Sequence, residues 1–477
     1  MYFEDSIFPL PSKIARAKQP LSLKLNQIKT QKMKVKIESS TIVKPAYDLS
    51  PHVPSAPYIP LSVFDKVAYD SHIGVIYAYR PPAMSTTTLK LGLLRVLAVY
   101  REWAGRIGKN HRGDSVVILN DQGVRFVEAS VDSRLDQTLT LLKPSPALLN
   151  LHPPLKGIDE LVQVQATRFA CGSVVIGFTA HHSVADGQAT SNFLVAWGRA
   201  CRGLDIGPLP IRDRSSFFIP RDPAVVEFDH FTTEYTSRKI YEEDMARLSL
   251  IDLDNIVTHR AHFSVDFLMK LKARAASADE SRSRSYSTFV CLVAHLWRAI
   301  TRARSLSSDD TTQLRLSVNG RSRMNSPRVP NQYFGNLVLW AVPKARVKDL
   351  LREPLPYAAR LINDAIARVD GGYFQSFIDF AATKLRTDEV AANVIPTAFA
   401  EMPVLCPDVE VDSWLRMPFY DLDFGSGSPY VFMPTYVPIE GGIYVLPSYV
   451  GDGSIDVFAP LFKDQLAAFC QNCYILE

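Results

Sequence analysis

Two periodicities and the gap between them constrain this chain most. From about residue 73 to 202, and again from 264 to 459, short β-branched runs alternate with segments apolar at every third or fourth position. Ile73–Tyr79 reads as a strand. Leu89, Leu93, Leu97, Tyr100 and Ile107 then fall on one face of a helix predicted over 86–107. Leu161–Thr167 and Ser173–Thr179 read as a hairpin turning at Ala170–Gly172, followed by a helix over 187–202. Across 203–258 both periodicities vanish, with Pro208, Pro210, Pro220 and Pro223 close together. Beyond it, Ser264 and Ser287 are placed to cap helices, and strands return at 313–318, 337–342, 430–432, 442–446 and 454–459. Further helices are predicted over 356–370 and 373–383. The class is α/β. At roughly 150 residues per domain, 477 residues make two lobes joined by one long crossover.

The expected division is a lobe over 33–205, a crossover over 206–258 and a second lobe over 259–477. Residues 1–32 carry Lys13, Arg16, Lys18, Lys24, Lys29 and Lys32 against Glu4 and Asp5. They read as a disordered basic extension upstream of a natural start at Met33. A transit peptide is the alternative.

Charge and cysteine content narrow the function. Lys and Arg total 53 and Asp and Glu 49, a net charge of +4. That balance lacks the basic stripe of a nucleic-acid binder and the net charge of a disordered chain. No apolar run approaches the ~18 residues of a membrane helix. Cys171, Cys201, Cys291, Cys406, Cys470 and Cys473 are too few for a disulfide scaffold. Cys470 and Cys473 have no second ligand pair to complete a zinc site. A cytoplasmic monomer without metal is expected.

Chemistry-bearing residues concentrate at two places. His181-His182-Ser183-Val184-Ala185-Asp186-Gly187 lies where a strand ends and a helix begins, and loops there often carry function. A His is a natural general base near neutral pH. The plain alternative is a packed His with Asp186 capping the helix. The second place is Asp421-Leu422-Asp423-Phe424-Gly425-Ser426-Gly427. It is no dinucleotide fingerprint, since Tyr430 stands where a third Gly is needed and no helix follows. GxxxxGK[ST] and GxSxG are absent.

HxxxD in mid-chain followed by DFGxG resembles the plant BAHD acyl-CoA-dependent acyltransferases, over essentially Met33–Glu477. Asn319–Arg323, Tyr333–Asn336 and Val411–Arg416 add to the likeness, which is strongest to the agmatine, putrescine and tryptamine hydroxycinnamoyltransferase branch. The resemblance implies two chloramphenicol-acetyltransferase-like lobes with mixed sheets and a channel between them. Acyl-CoA would be a co-substrate, with no resident cofactor, and an amine the acceptor. His182 would be the base, with His181 as its rival. Asp423 belongs to the implied catalytic constellation, as an architectural group paired with an Arg such as Arg321. Asp186, Gly187, Phe424, Gly425 and Gly427 would shape the site.

Ser426 replaces the family's usual Trp. Phe399 stands where shikimate-type relatives carry an acceptor-gripping Arg, and Asp412 where they carry Thr. An acid in place of a hydroxyl, with the Arg absent, suits a cationic or neutral amine and not an acid. The alternative is that Asp412 lies on the surface or starts a helix. Tyr69, Phe374, Phe377, Phe419 and Tyr420 are candidates for an arylalkylamine slot. Other readings are an O-acyltransferase, a peptide-synthetase condensation domain and a non-catalytic acyl-CoA-binding protein.

Overall fold

The computed structural model describes residues 33–47, 57–138, 143–214, 216–248, 251–276, 285–385, 388–398 and 402–476. Phe399 and residues 1–32 lie outside this set. Two mixed sheets organise the chain. The first runs Lys36–Val43, Val124–Val131, Val162–Phe169, Val174–His181, His72–Tyr79, Val431–Pro434. The second runs Ile256–Phe263, Ile455–Phe462, Gly442–Pro447, Val409–Ser413, Thr311–Asn319, Val338–Ala341, with Lys344–Arg346 added to Thr311–Asn319.

The predicted hairpin forms, with Gln163 opposite Thr179 and Gly172 at φ 83° in its turn. Helices Thr86–Val99 and Gly187–Cys201 bury Leu89, Leu93, Phe193 and Trp197 against the first sheet. In the second sheet, period-two alternation separates two faces. Val411, Val445 and Val457 share a core with helix Thr288–Ala303, while Leu446 and Phe458 pack into the first lobe's core. The second sheet therefore turns one face towards the first lobe.

The structure departs from expectation in three places. The helix predicted over 86–107 stops at Val99; a 3-10 turn and the strand Arg106–Lys109 follow. A Cβ at Gly105 would lie 2.3 Å from the Ile118 carbonyl, so close strand pairing replaces the last helical turns. Ile107 is accordingly 37% exposed.

The crossover is a pinned strap. Arg212 pairs with buried Glu102, Arg214 with Asp65 at 2.5 Å, and Arg221 with Asp379 at 2.5 Å. It also holds a short strand, Tyr235–Ser237, and the helix Arg238–Leu248. Its pattern is polar because its anchors are ionic, which apolar periodicity does not register.

Finally, sequence order does not divide the two sheets cleanly. Val431–Pro434, from the second half of the chain, pairs antiparallel with His72–Tyr79 in the first sheet. In return, Phe64 and Val67 pack in the second core.

Candidate active site

The strand Val174–His181 delivers His182 to the junction of the lobes. Its backbone is held from both sides: its N–H donates to Ser71 O (2.9 Å), and its carbonyl accepts from Asn336 Nδ2 (2.8 Å). The ring lies against Tyr69, with centroids 5.5 Å apart. Burial lowers the pKa of His182. Asp186, the residue's own carbonyl, the Asn336 amide and Asp65 oppose that fall. Nδ1 makes no well-aligned hydrogen bond among the described residues, although both the carbonyl and the amide act on the ring. The imidazole is thus neutral near pH 7 and able to take a proton.

His181 faces other groups. Its ring packs edge-on against His72 at 4.8 Å, and its Nε2 lies 3.8 Å from Asp70 Oδ1. Burial, reinforced by His72, pushes its pKa to about 4.

Asp186 caps the following helix, Oδ1 accepting from Ala189 N (3.0 Å). The same carboxylate takes Arg321 Nη1 (2.7 Å) and Leu337 N (3.0 Å) on Oδ2. The Arg321 partner expected for Asp423 is therefore Asp186. Gly187 opens the helix where Met417 crosses it; a Cβ there would stand 2.7 Å from Met417 Cε.

Asp423 instead meets Arg202 Nη1 at 3.2 Å and accepts the N–H groups of Gly425 (2.7 Å) and Gly427 (2.9 Å). Both glycines have positive φ, 106° and 88°, where a side chain is strained. Phe424 packs edge-on against Trp197 at 4.6 Å. Arg202 is the C-cap and Asp186 the N-cap of one 15-residue helix. At 1.5 Å per residue these ends lie ~22 Å apart. Asp423 accordingly braces the far end of that helix, which corrects its inclusion beside His182. Asp423→Asn is expected to weaken the fold by about 2 kcal/mol in thermal melts, with both KM values unchanged.

On the strand Val409–Ser413, alternation points Val409 and Val411 to the helices and Glu410 and Asp412 to the other face. Asp412 starts no helix. Its Oδ1 accepts from Ser317 Oγ at 2.6 Å. Tyr69, whose ring touches His182, donates its hydroxyl to Glu410. Arg315 stacks on Trp340 at 4.0 Å and reaches Glu410 at 3.4 Å. Burial and the Glu410 charge push the Asp412 pKa up to about 6. Of the aromatic candidates, Phe374 and Phe377 are buried in the second core, and Phe419 and Tyr420 pack on Phe432. Tyr69 alone of the five touches His182.

Sequence reasoning missed Glu410, Asp65 and Arg214. Glu410 was detectable from its period-two spacing to Asp412. Asp65 was hidden in a capping box with Ser62, a sufficient local explanation. Arg214 lies in the stretch without periodicity. Among the described residues, no group of three or more His, Cys, Asp or Glu is placed to hold a metal, and no helix is long and apolar enough to cross a membrane.

Two such mixed sheets with their helices have the chloramphenicol-acetyltransferase-like fold. Vinorine synthase superposes with a TM-score of 0.67 at 23% identity, covering 91% of this chain and 96% of that one. The Transferase family model matches residues 33–476. Putrescine hydroxycinnamoyltransferase 3 of Oryza sativa subsp. japonica is 50% identical over 447 residues, 93% of this chain and 100% of that protein. Agmatine hydroxycinnamoyltransferase 1 of the same plant is 48% identical over 452 residues, 93% of this chain and 99% of that protein. The chain belongs to the BAHD acyltransferases, enzymes that use acyl-CoA as co-substrate.

Proposed function

We propose that this enzyme transfers a hydroxycinnamoyl group from CoA to a primary amine bearing a second cation, such as putrescine or agmatine. The observation that carries this reading is the pair Glu410 and Asp412 beside Tyr69, whose ring touches His182; among the described residues Arg315 is the cation that offsets them. Glu410 is occupied by Tyr69 and Arg315. Among the described residues Asp412 accepts a hydrogen bond from the Ser317 hydroxyl alone and has no ion-pair partner in contact, so its charge remains for a ligand cation. The names of the two rice relatives agree with this acceptor class.

His182 takes the proton as the amine nitrogen attacks the thioester carbonyl. The C–S bond then breaks, and the CoA thiolate leaves and collects a proton, giving an amide plus CoA. A free alkyl amine has a pKa near ~10, so the reacting end must shed its proton, while the distal end keeps its charge for Asp412. Six free cysteines support a reducing compartment, and we place the enzyme in the cytoplasm as a monomer.

The test follows CoA release from coumaroyl-CoA with putrescine, agmatine, tryptamine and an alcohol panel. Turnover of alcohols but not amines would overturn the reading. Asp412→Asn is expected to raise KM for agmatine and putrescine by ~10–100-fold, with tryptamine little affected. In the native enzyme, KM for these dications falls as pH rises through about 6, where Asp412 ionises, and rises with added salt.

Stability moves the opposite way. The folded pKa exceeds the ~3.9 of an unfolded Asp, so Asp412 loses the fold stability as pH climbs from ~4 to about 6. Asp412→Asn should therefore melt higher than the parent at pH 7 while binding agmatine worse.

A further inference from the structure

The loop Tyr333–Leu337 is gripped from two sides by two buried ion pairs. Arg321, paired with Asp186, donates to the carbonyls of Tyr333 (3.0 Å) and Gly335 (3.1 Å). Arg214, paired with Asp65, donates to the carbonyl of Phe334 (3.2 Å). Asp65 Oδ1 accepts both the backbone N–H (2.8 Å) and the side-chain Nδ2 (3.0 Å) of Asn336. Asn336 Nδ2 then reaches the His182 carbonyl at 2.8 Å. Asp65 is 0% exposed, Asn336 1% and Arg214 6%. This is a continuous buried path from the crossover to the turn that carries His182.

We propose that Arg214, supplied by the crossover, is a positioning residue for His182, acting through Asp65 and Asn336. The inference rests on His182 being the base.

Each link has a reason to be there. Asp65 carries a full set of donors: Ser62 N and Oγ (both 2.7 Å), Arg214 and the two Asn336 groups. Without Arg214 it is a dehydrated carboxylate held by neutral donors alone, and the Phe334 carbonyl, two residues before Asn336, loses its anchor, so the loop that presents Asn336 is freed. Asn336 fixes the His182 backbone on the side opposite Ser71. Loss of that contact lets the turn move, and displacement of a reacting group by an ångström is enough to cost ~10²-fold in rate. Arg212, two residues earlier, serves a different end. Its side chain binds Glu102 and the Val99 carbonyl at the end of the first lobe's helix, and among the described residues makes no hydrogen bond to Asp65, Asn336 or His182.

The pair also sets the field at the ring. The charged and titratable groups facing His182 are Asp186 and His181 from its own turn, and Asp65 and Tyr69 from the helix Val63–Val67 and the turn after it. Asp70 lies beyond His181, and Glu410 beyond Tyr69. Arg321 and Arg214 stand behind Asp186 and Asp65.

Opposite signs follow for the two halves of the pair. Asp65→Asn removes a negative charge, so the acidic limb of the kcat–pH profile moves to lower pH. Arg214→Met leaves that charge uncompensated, so the limb moves to higher pH. Both variants should lower kcat by ~10-fold or more, with KM for coumaroyl-CoA changed by less than ~3-fold. Arg214→Lys should recover part of kcat. Arg212→Gln should lower the melting temperature without moving the limb.

The experiment measures kcat, KM and pH profiles with coumaroyl-CoA and agmatine for these variants, for His182→Ala and for Asn336→Ala. Asn336→Ala keeps the ion pair, and serves if either pair variant fails to fold; it should lose kcat without losing KM for coumaroyl-CoA. Unmoved limbs in both pair variants, or full kcat in Asn336→Ala, would overturn the positioning role while His182→Ala still abolishes turnover. Full rate in His182→Ala would overturn the reading of the base itself.

Discussion

His182→Ala should lose ~10²–10⁴-fold in acyl transfer and still bind acyl-CoA, read as CoA release and as ligand-induced stabilisation in thermal melts. The separation is expected because the backbone, and not the ring, is what the fold uses. Ser71 O holds the N–H and Asn336 holds the carbonyl, and both contacts survive truncation. Among the described residues Nδ1 makes no well-aligned hydrogen bond, and Asn336 keeps its bonds to Asp65 and to the His182 carbonyl when the ring is removed.

The pH dependence adds a second check. Burial holds the His182 pKa below its ordinary ~6.5, so the ring is neutral in the folded protein where an unfolded His would already be charged. The base stays competent below pH 6.5, and kcat falls on the acid side for every acceptor. The Asp412 effect, by contrast, appears in KM and only for dications. Linkage has the matching sign: the stability tied to His182 is complete above ~6.5 and is lost as pH falls through the lower folded value. A His182→Ala variant at full rate would end this assignment. Loss of rate in His181→Ala without loss of stability would transfer it to the neighbour, whose pKa of about 4 makes it a weaker base at neutral pH.

How far the sequence revealed this site depended on whether a residue's role was written locally. His182, Asp186 and Gly187 were legible because they sit together at a strand-to-helix junction, where spacing and capping chemistry coincide. The glycines of the DFGxG segment were legible because positive φ leaves few other choices. Asp412 was visible as a charge in a segment of strong resemblance, but its strand position came from pairing with Gly442–Pro447 and Thr311–Asn319, contacts across 30 to 100 residues. Pairing partners for buried charges were least legible. Arg321 was expected on Asp423 and pairs with Asp186, because nothing in the order of residues chooses between the two ends of one helix. The crossover was legible as a break in periodicity, but its anchoring was not, because ionic anchors spaced at 212, 214 and 221 carry no period.

Arg321→Met should destabilise the enzyme by ~3–5 kcal/mol, measured by urea or thermal unfolding, with most activity lost through loss of folded protein. The magnitude follows from what is stranded. Asp186 and Arg321 are 3% and 4% exposed, and the guanidinium serves two carboxylate oxygens and two carbonyls at once. Removing it leaves a buried carboxylate with only the Ala189 and Leu337 N–H groups. Arg321→Lys should recover little, since one ammonium cannot reproduce a fork that spans both oxygens. Asp186→Asn keeps the helix cap, because Asn caps as well as Asp, yet strands the cation, so it should cost nearly as much. The pair joins the lobes: its acid starts a helix of the first, and its base follows the strand Thr311–Asn319 of the second. Weakening it loosens the two lobes relative to each other and leaves the Asp186 charge uncompensated beside His182, so surviving molecules at low temperature should show raised KM for both substrates and an acidic limb of kcat moved to higher pH. A variant that melts like the parent yet turns nothing over would place Arg321 in the chemistry and overturn its architectural role.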